Sequence, residues 1–189
     1  MIRRILGANH LDLSLHRLVV DEAPSDGTTV KLTLAENGAT PVLLEGRGVG
    51  VVDAIHASLL GRYAADYQSL RTVHLIGFAV APQLDTKSSD SGVDAVGTVT
   101  LDVENSEGKA FTFTDTSRSV TTSIARAVIA TVQYFVNAER AFMTLHHARK
   151  DALERGRDDL VARYTAEMAE VVECTSYAEV IDAARRDLK

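Results

Sequence analysis

The sequence predicts an α+β fold: two β-β-β-α units in pseudo-symmetric arrangement, followed by a helical C-terminal extension. Three observations carry this. Across residues 14–118 short apolar alternations recur between turn residues, interrupted once by a stretch of helical period. The order strand, strand, strand, helix then occurs twice, and beyond Ser119 the chain holds helix formers and no proline. With 189 residues and 46% hydrophobic content, the chain can bury one ordinary core or two halves that share one.

The first strand is "LHRLVVDEA", closed by "PSDG" with its turn residues Pro24 and Gly27. In "TTVKLTLAENGATPVLLEG", Val30, Leu32 and Leu34 alternate with Thr29, Lys31 and Thr33, giving one apolar and one wet face. Asn37 and Gly38 mark a hairpin, because both tolerate the positive φ of a tight turn. In "GVVDAIHASLLGRYAADY" the period changes: Val52, Ile55 and Leu59 form one buried helical stripe, and Gly61 with Asp66 and Tyr67 is expected to loosen the end.

The pattern then restarts. "LRTVHLIGFAVAP" reads as a strand, "QLDTKSSDSG" as a polar loop, and "DAVGTVTLDVENSEGKAFTFTD" as a hairpin with Val99, Leu101 and Val103 facing the core opposite Phe111 and Phe113. From about Val120, the residues Ile124, Val128, Phe135 and Phe142 lie on one side of a long helix. The two halves share almost no identity; their best local match sets Ile55 over Ile124, and Leu59 and Leu60 over Val128 and Ile129. We place the paired units at 14–141 and the extension at 142–189, with a break at Gly156 and a last short helix capped by Ser176 and Glu179. The alternating charges of the extension fit a partly solvated helical pair or a surface that meets another subunit.

Composition removes several function classes. A formal charge of −6, no Trp and 5% aromatic residues argue against nucleic acid. No apolar run reaches the ~18 residues of a membrane span, and "MIRRILGANHLDLSLH" lacks an apolar h-region and a cleavage site, so a cytoplasmic protein is expected. The single Cys174 can form neither an internal disulfide nor a Cys-rich zinc site. The six histidines fall in no H-x-H or H-E-x-x-H pattern and the serines in no G-x-S-x-G elbow. No catalytic residue, metal or cofactor is therefore expected.

The stretch "LLEGRGVGVVDAIHASLL", with Gly46, Gly48 and Gly50, joins a strand to a helix. It is neither a Walker loop nor a Rossmann fingerprint. In one reading, Gly48 and Gly50 hold backbone conformations closed to other residues, and the helix start attracts a carboxylate or phosphate. In the other, the glycines relieve crowding in a tight turn. The residues alone leave both open. The second helix entrance, "DTSRSVTTSIARA", offers Ser117, Ser119, Thr121, Thr122 and Ser123 around Arg118; one hydroxyl caps the helix, and the others meet a polar ligand or water.

This arrangement resembles the C-terminal allosteric (dimerisation) domain of 2-isopropylmalate synthase and citramalate synthase. That family is built from two β-β-β-α units, and its first helix opens with G-x-G-P-[VL]-D-A. "GVGVVDA", residues 48–54, matches at both glycines, the Asp and the Ala, while Val49 and Val51 stand where the family usually has Asn and Pro. The resemblance covers about two thirds of the chain and implies a homodimer that binds leucine or isoleucine near the helix entrances. It implicates Gly48, Gly50, Asp53 and Ala54 in the first unit. Ser119, Thr122 and Ser123 stand where the second family motif would lie, here without its glycine. The family's catalytic barrel is missing from the sequence. The resemblance thus implies a stand-alone, non-catalytic regulatory domain that senses a branched-chain amino acid or related small acid. The alternative is a ligand-free interaction or dimerisation module that uses the long helices after Val120 to bind a separately encoded partner, such as a catalytic subunit, and a third reading is an enzyme whose site the sequence does not reveal.

Overall fold

In the computed structural model, residues 1–83 and 96–172 are described; the polar loop of the second unit, Cys174 and the helix capped by Ser176 and Glu179 lie outside them. A short helix α1 (Ile2–Leu6) and a 3-10 turn (Gly7–Asn9) precede β1 (Leu13–Ala23), β2 (Gly27–Glu36) and β3 (Val42–Gly48), which form an antiparallel sheet in the order β1-β2-β3. The alternation in β2 works as expected: Val30, Leu32 and Leu34 are fully buried. Outward-facing Lys31 lies opposite Glu45 in the ladder and pairs with it at 3.0 Å. Asn37 (φ 51°) and Gly38 (φ 73°) make the mirror-image turn that suits a hairpin, and the Ala39 N–H donates to the Glu36 carbonyl at 2.9 Å.

Helix α2 (Val51–Tyr63) buries a wider face than its stripe of large residues indicated, since Ala54 and Ser58 join Ile55 and Leu59. Gly61 lies in its last turn, where the end was expected to loosen. The helix runs two residues further because Tyr63 is buried and donates its hydroxyl to Glu36 at 2.8 Å, and Arg62 pairs with the same carboxylate at 3.1 Å. Three-ten geometry follows at Gln68–Thr72.

The second unit repeats the first: β4 (His74–Gln83), β5 (Val96–Glu104) and β6 (Ala110–Ser117) form a sheet in the order β4-β5-β6, followed by α3 (Val120–Glu154). Leu101 sits opposite Phe113 and Val103 opposite Phe111. These two rings pack edge-on or tilted against Tyr134 and Phe135 of α3, with centroids 5.2–5.6 Å apart.

The register itself records the pseudo-symmetry. The helix N-caps Gly50 and Ser119 are 69 residues apart, and so are the ladder pairs Thr28 with Gly48 and Gly97 with Ser117. The same spacing sets Ile55 over Ile124, as the local sequence match did. Each first strand also carries a bulge at the equivalent place. Pairing slips at His16 just after Leu15 faces Leu34, and at Ile76 just after Leu75 faces Val103. Two sequences with little identity thus share a one-residue irregularity.

Helix α3 runs 35 residues and crosses residue 141 without a break, so the extension begins inside a helix. Its first half, with Ile124, Val128, Val132 and Phe135, belongs to the core shared by the two sheets. Its second half, with Phe142 and Leu145, meets Leu6 of α1 and Val171 of α4 (Asp158–Val172) in a separate apolar cluster. Gly156 ends it as expected: at φ 66° its N–H donates to Leu153 O at 3.1 Å and the Arg157 N–H to Ala152 O at 2.9 Å. The N-terminal segment, given no role by the sequence, is strapped to α3. Asn137 accepts from the Leu11 N–H and donates to the Leu11 carbonyl, both at 2.8 Å, and Gln133 accepts from the Leu13 N–H at 2.7 Å.

The glycines before α2 answer the crowding question. Neither Gly48 nor Gly50 has a positive φ, and Gly50 is extended at φ −144°, so no conformation reserved for glycine is in use there. What Gly46 and Gly48 permit is contact: a methyl on Gly46 would lie 2.2 Å from Ala54 O, and one on Gly48 2.5 Å from Ala54 N. Nothing lies within 4 Å of a methyl placed on Gly50. Gly46→Ala should therefore lower stability by about 1–3 kcal/mol or more as α2 is forced off β3, whereas Gly50→Ser should stay within about 0.5 kcal/mol of wild type. Urea unfolding of the two variants checks this, and equal midpoints would show that β3 and α2 do not pack as described.

Candidate functional site

The first turn of α2 starts without a side-chain cap from Gly50. Asp53, in the third helical position, reaches back instead, its Oδ2 accepting from the Val49 N–H at 3.0 Å. This reaches one residue beyond the N-cap amide of a capping box, and it places a negative charge where the helix dipole favours one. Ala54 is buried against Gly48 below, and Val49 is 90% exposed above. Thr28 lies opposite Gly48 in the ladder; it is buried, and its hydroxyl finds no hydrogen-bond partner among the described residues.

The entrance of α3 is built differently. Ser119 is the cap, accepting from the Thr122 N–H at 3.2 Å, and the Thr122 hydroxyl donates to Ser119 Oγ at 3.0 Å. Ser117 donates to the Ser119 carbonyl at 2.9 Å and bonds the buried Ser123 at 2.8 Å. Ser117 and Ser123 stand 69 residues beyond Gly48 and Ala54. A hydroxyl pair in the second unit thus replaces the bare backbone contact of the first, and these hydroxyls are engaged with one another.

A small cavity of about 80 Å³ opens between α2, the second sheet and α3. Of the seven residues singled out from the sequence, Asp53 alone lines it; Gly48, Gly50 and Ala54 hold the α2 entrance beside it, and Ser119, Thr122 and Ser123 belong to the other entrance. Val52, Asp53 and His56 come from one face of α2, and Leu75, Leu101 and Val103 from the sheet. Val128 and Thr131 of α3 close it, with the Thr131 hydroxyl donating to Ala127 O at 2.9 Å. The walls are mainly apolar, and the polar groups left to face a ligand are the Asp53 carboxylate and the His56 ring. Burial holds the His56 imidazole below its ordinary value; Asp53, one turn away, pulls it up and His74 pushes it further down. His56 was not singled out from the sequence, although its i, i+3 spacing from Asp53 puts both on one helix face.

Two wider clefts flank the N-terminal strap. In the larger, of about 510 Å³, the polar lining is committed to structure: Glu139 accepts from the Ser69 N–H and hydroxyl, and Arg140 donates to Tyr67 Oη and Asn9 O. Among the described residues no group of three or more His, Cys, Asp or Glu side chains is placed to hold a metal ion, and no helix is long and apolar enough to cross a membrane. No family model matches the chain, and no curated protein matches it.

The lowered His56 value has a pH consequence. A histidine held neutral by burial contributes stability that is complete above its unfolded value of about 6.5 and is lost as pH falls toward and through the lowered folded value. Between pH 8 and pH 5 the wild type should lose more stability than His56→Gln, read from urea midpoints. Parallel losses would show that His56 does not titrate against its burial.

Proposed function

We propose that this chain is a non-catalytic regulatory domain of the 2-isopropylmalate synthase type, a homodimer that binds a small branched amino acid at the cavity beside Asp53. The observation that supports this most directly is the lining of that cavity: mainly apolar walls with the Asp53 carboxylate and the His56 ring among them. Its 80 Å³ is room for several waters at 10–15 Å³ of such volume each, comparable to a short branched side chain and too little for an extended ligand. Asp53 is the natural partner of an α-ammonium group. The α-carboxylate goes to the first turn of α2, whose amides lack intrahelical partners and receive no side-chain cap from Gly50. An amino acid fits these charges better than its keto acid, which has no ammonium to offer. Regulation follows by mass action, because a ligand that binds one packing of α2 against the second sheet stabilises that packing and whatever surface it presents to a catalytic partner.

The interaction-module reading is favoured by a different feature, the exposed apolar strand β4, and it needs no ligand.

A thermal-shift screen against leucine, isoleucine, valine and their keto acids separates the two. A ligand at about 100 times its Kd adds about 2.7 kcal/mol, which raises Tm by several degrees. The shift should be selective for the amino acids and should vanish in Asp53→Asn, whose amide oxygen still accepts from the Val49 N–H and keeps the helix start intact. An unchanged shift in that variant would remove Asp53 from the site, and no shift with any of the six compounds would favour the interaction module.

A further inference from the structure

We propose that β4 is the seam of a two-fold homodimer, in which the β4 strands of two copies pair antiparallel and join two three-stranded sheets into one of six. The proposal rests on the homodimer part of the function proposed above and names its surface.

Among the described residues β4 is an edge strand, with β5 on one side and an open row of backbone N–H and C=O groups on the other. Proteins guard such edges with charge, and the other edges here carry it: His16, Arg17, Asp21 and Glu22 on β1, Glu45 and Arg47 on β3, Asp115 on β6. β4 reads "HLIGFAVAPQ", with His74 its one ionisable residue, and Leu75, Ile76, Phe78 and Val80 are 43–54% exposed. An edge of this length without charge, interrupted only by the bulge at Ile76 and by Pro82 near its end, is a pairing surface.

The internal repeat shows that the exposure is a missing cover. Leu75, Phe78 and Val80 face Val103, Leu101 and Val99 in the ladder, which puts them on the helix side of their sheet. Their counterparts in the first unit, Leu15, Leu18 and Val20, face Leu34, Leu32 and Val30 and are packed against the core. Helix α3 lies against β1 and helps cover them, whereas α2 ends at Tyr63 and has no comparable packing on β4. The same three positions are therefore half-buried against the core in one unit and open in the other.

A second copy fits the opening better than an unrelated strand. Antiparallel pairing about an axis perpendicular to the sheet keeps each face on its own side, so Leu75, Phe78 and Val80 of one copy meet Val80, Phe78 and Leu75 of the other. The opposite side presents Gly77, Ala79 and Ala81, too small to clash, and no like charges come face to face. With no charge along its length beyond His74, the strand has nothing to specify a complementary charged partner; its complement is itself.

Sedimentation equilibrium of the whole chain tests this, beside the double variant Phe78→Lys, Val80→Lys. Both side chains are already exposed in the single chain, so the variant should keep the wild-type far-UV spectrum. The expected result is a micromolar wild-type dimer and a monomeric variant. A monomeric wild type at high micromolar concentration would overturn both the seam and the homodimer. A variant as dimeric as the wild type would overturn the seam alone and leave a homodimer through another surface. If the variant does not fold, amide hydrogen exchange on the wild type decides: protection of the β4 amides that point away from β5, lost on dilution, supports the seam, and exchange of those amides that is independent of concentration overturns it. The amino-acid thermal shift is read separately, so a failed ligand and a failed seam give different results.

Discussion

A three-stranded antiparallel sheet with one apolar face is stable only if something covers that face, and here two such sheets depend largely on one long helix for their cover. At 1.5 Å per residue, α2 is about 20 Å long and α3 about 52 Å. The short helix seals β2 and β3 of its own unit. The long one packs on β5 and β6 of its unit, crosses to β1 of the other, and buries Val128, Val132, Phe135 and Val136 almost completely in doing so. The apolar strip left open on β4 lies where the short helix has no second half to match.

The two units have diverged in what they ask of equivalent positions. In the first, Gly46 and Gly48 let the backbone of α2 descend onto β3, and Asp53 caps the turn from within the helix. In the second, the place of Gly48 is taken by Ser117, which bonds Ser123, and capping passes to Ser119. One solution uses proximity and the other hydrogen bonds. The first leaves a helix start without a hydroxyl cap, beside a carboxylate and an apolar cavity; the second commits its hydroxyls to one another. This asymmetry is why the proposed ligand is assigned to the first unit.

Local periodicity made most of the architecture legible. Val30, Leu32 and Leu34 gave a strand face, Ile124 to Phe142 a helix face, Asn37 and Gly38 a turn, and Gly156 a helix end, each through a rule spanning a few residues. Features held by distant residues were not legible. Asn137 and Gln133 read as ordinary polar positions on a helix, yet they hold a segment more than a hundred residues earlier in the chain. At the end of α2 the loosening around Gly61 was legible, but the bond from Tyr63 to the distant Glu36 was not. At the candidate site, Asp53 was visible through the motif at residues 48–54, but the cavity takes its other walls from β5 and α3, which no local pattern connects to it.

The uninterrupted course of α3 bears on how the chain can be divided. A cut at residue 141 would pass through the middle of a helix, between Ala141 and Phe142, both of which are buried against Leu6 and Val171. The fragment left behind would end in a frayed turn and bare the apolar side of α1. The symmetric pair of units and its extension therefore share one continuous helix from Val120 to Glu154, with no break at which they part.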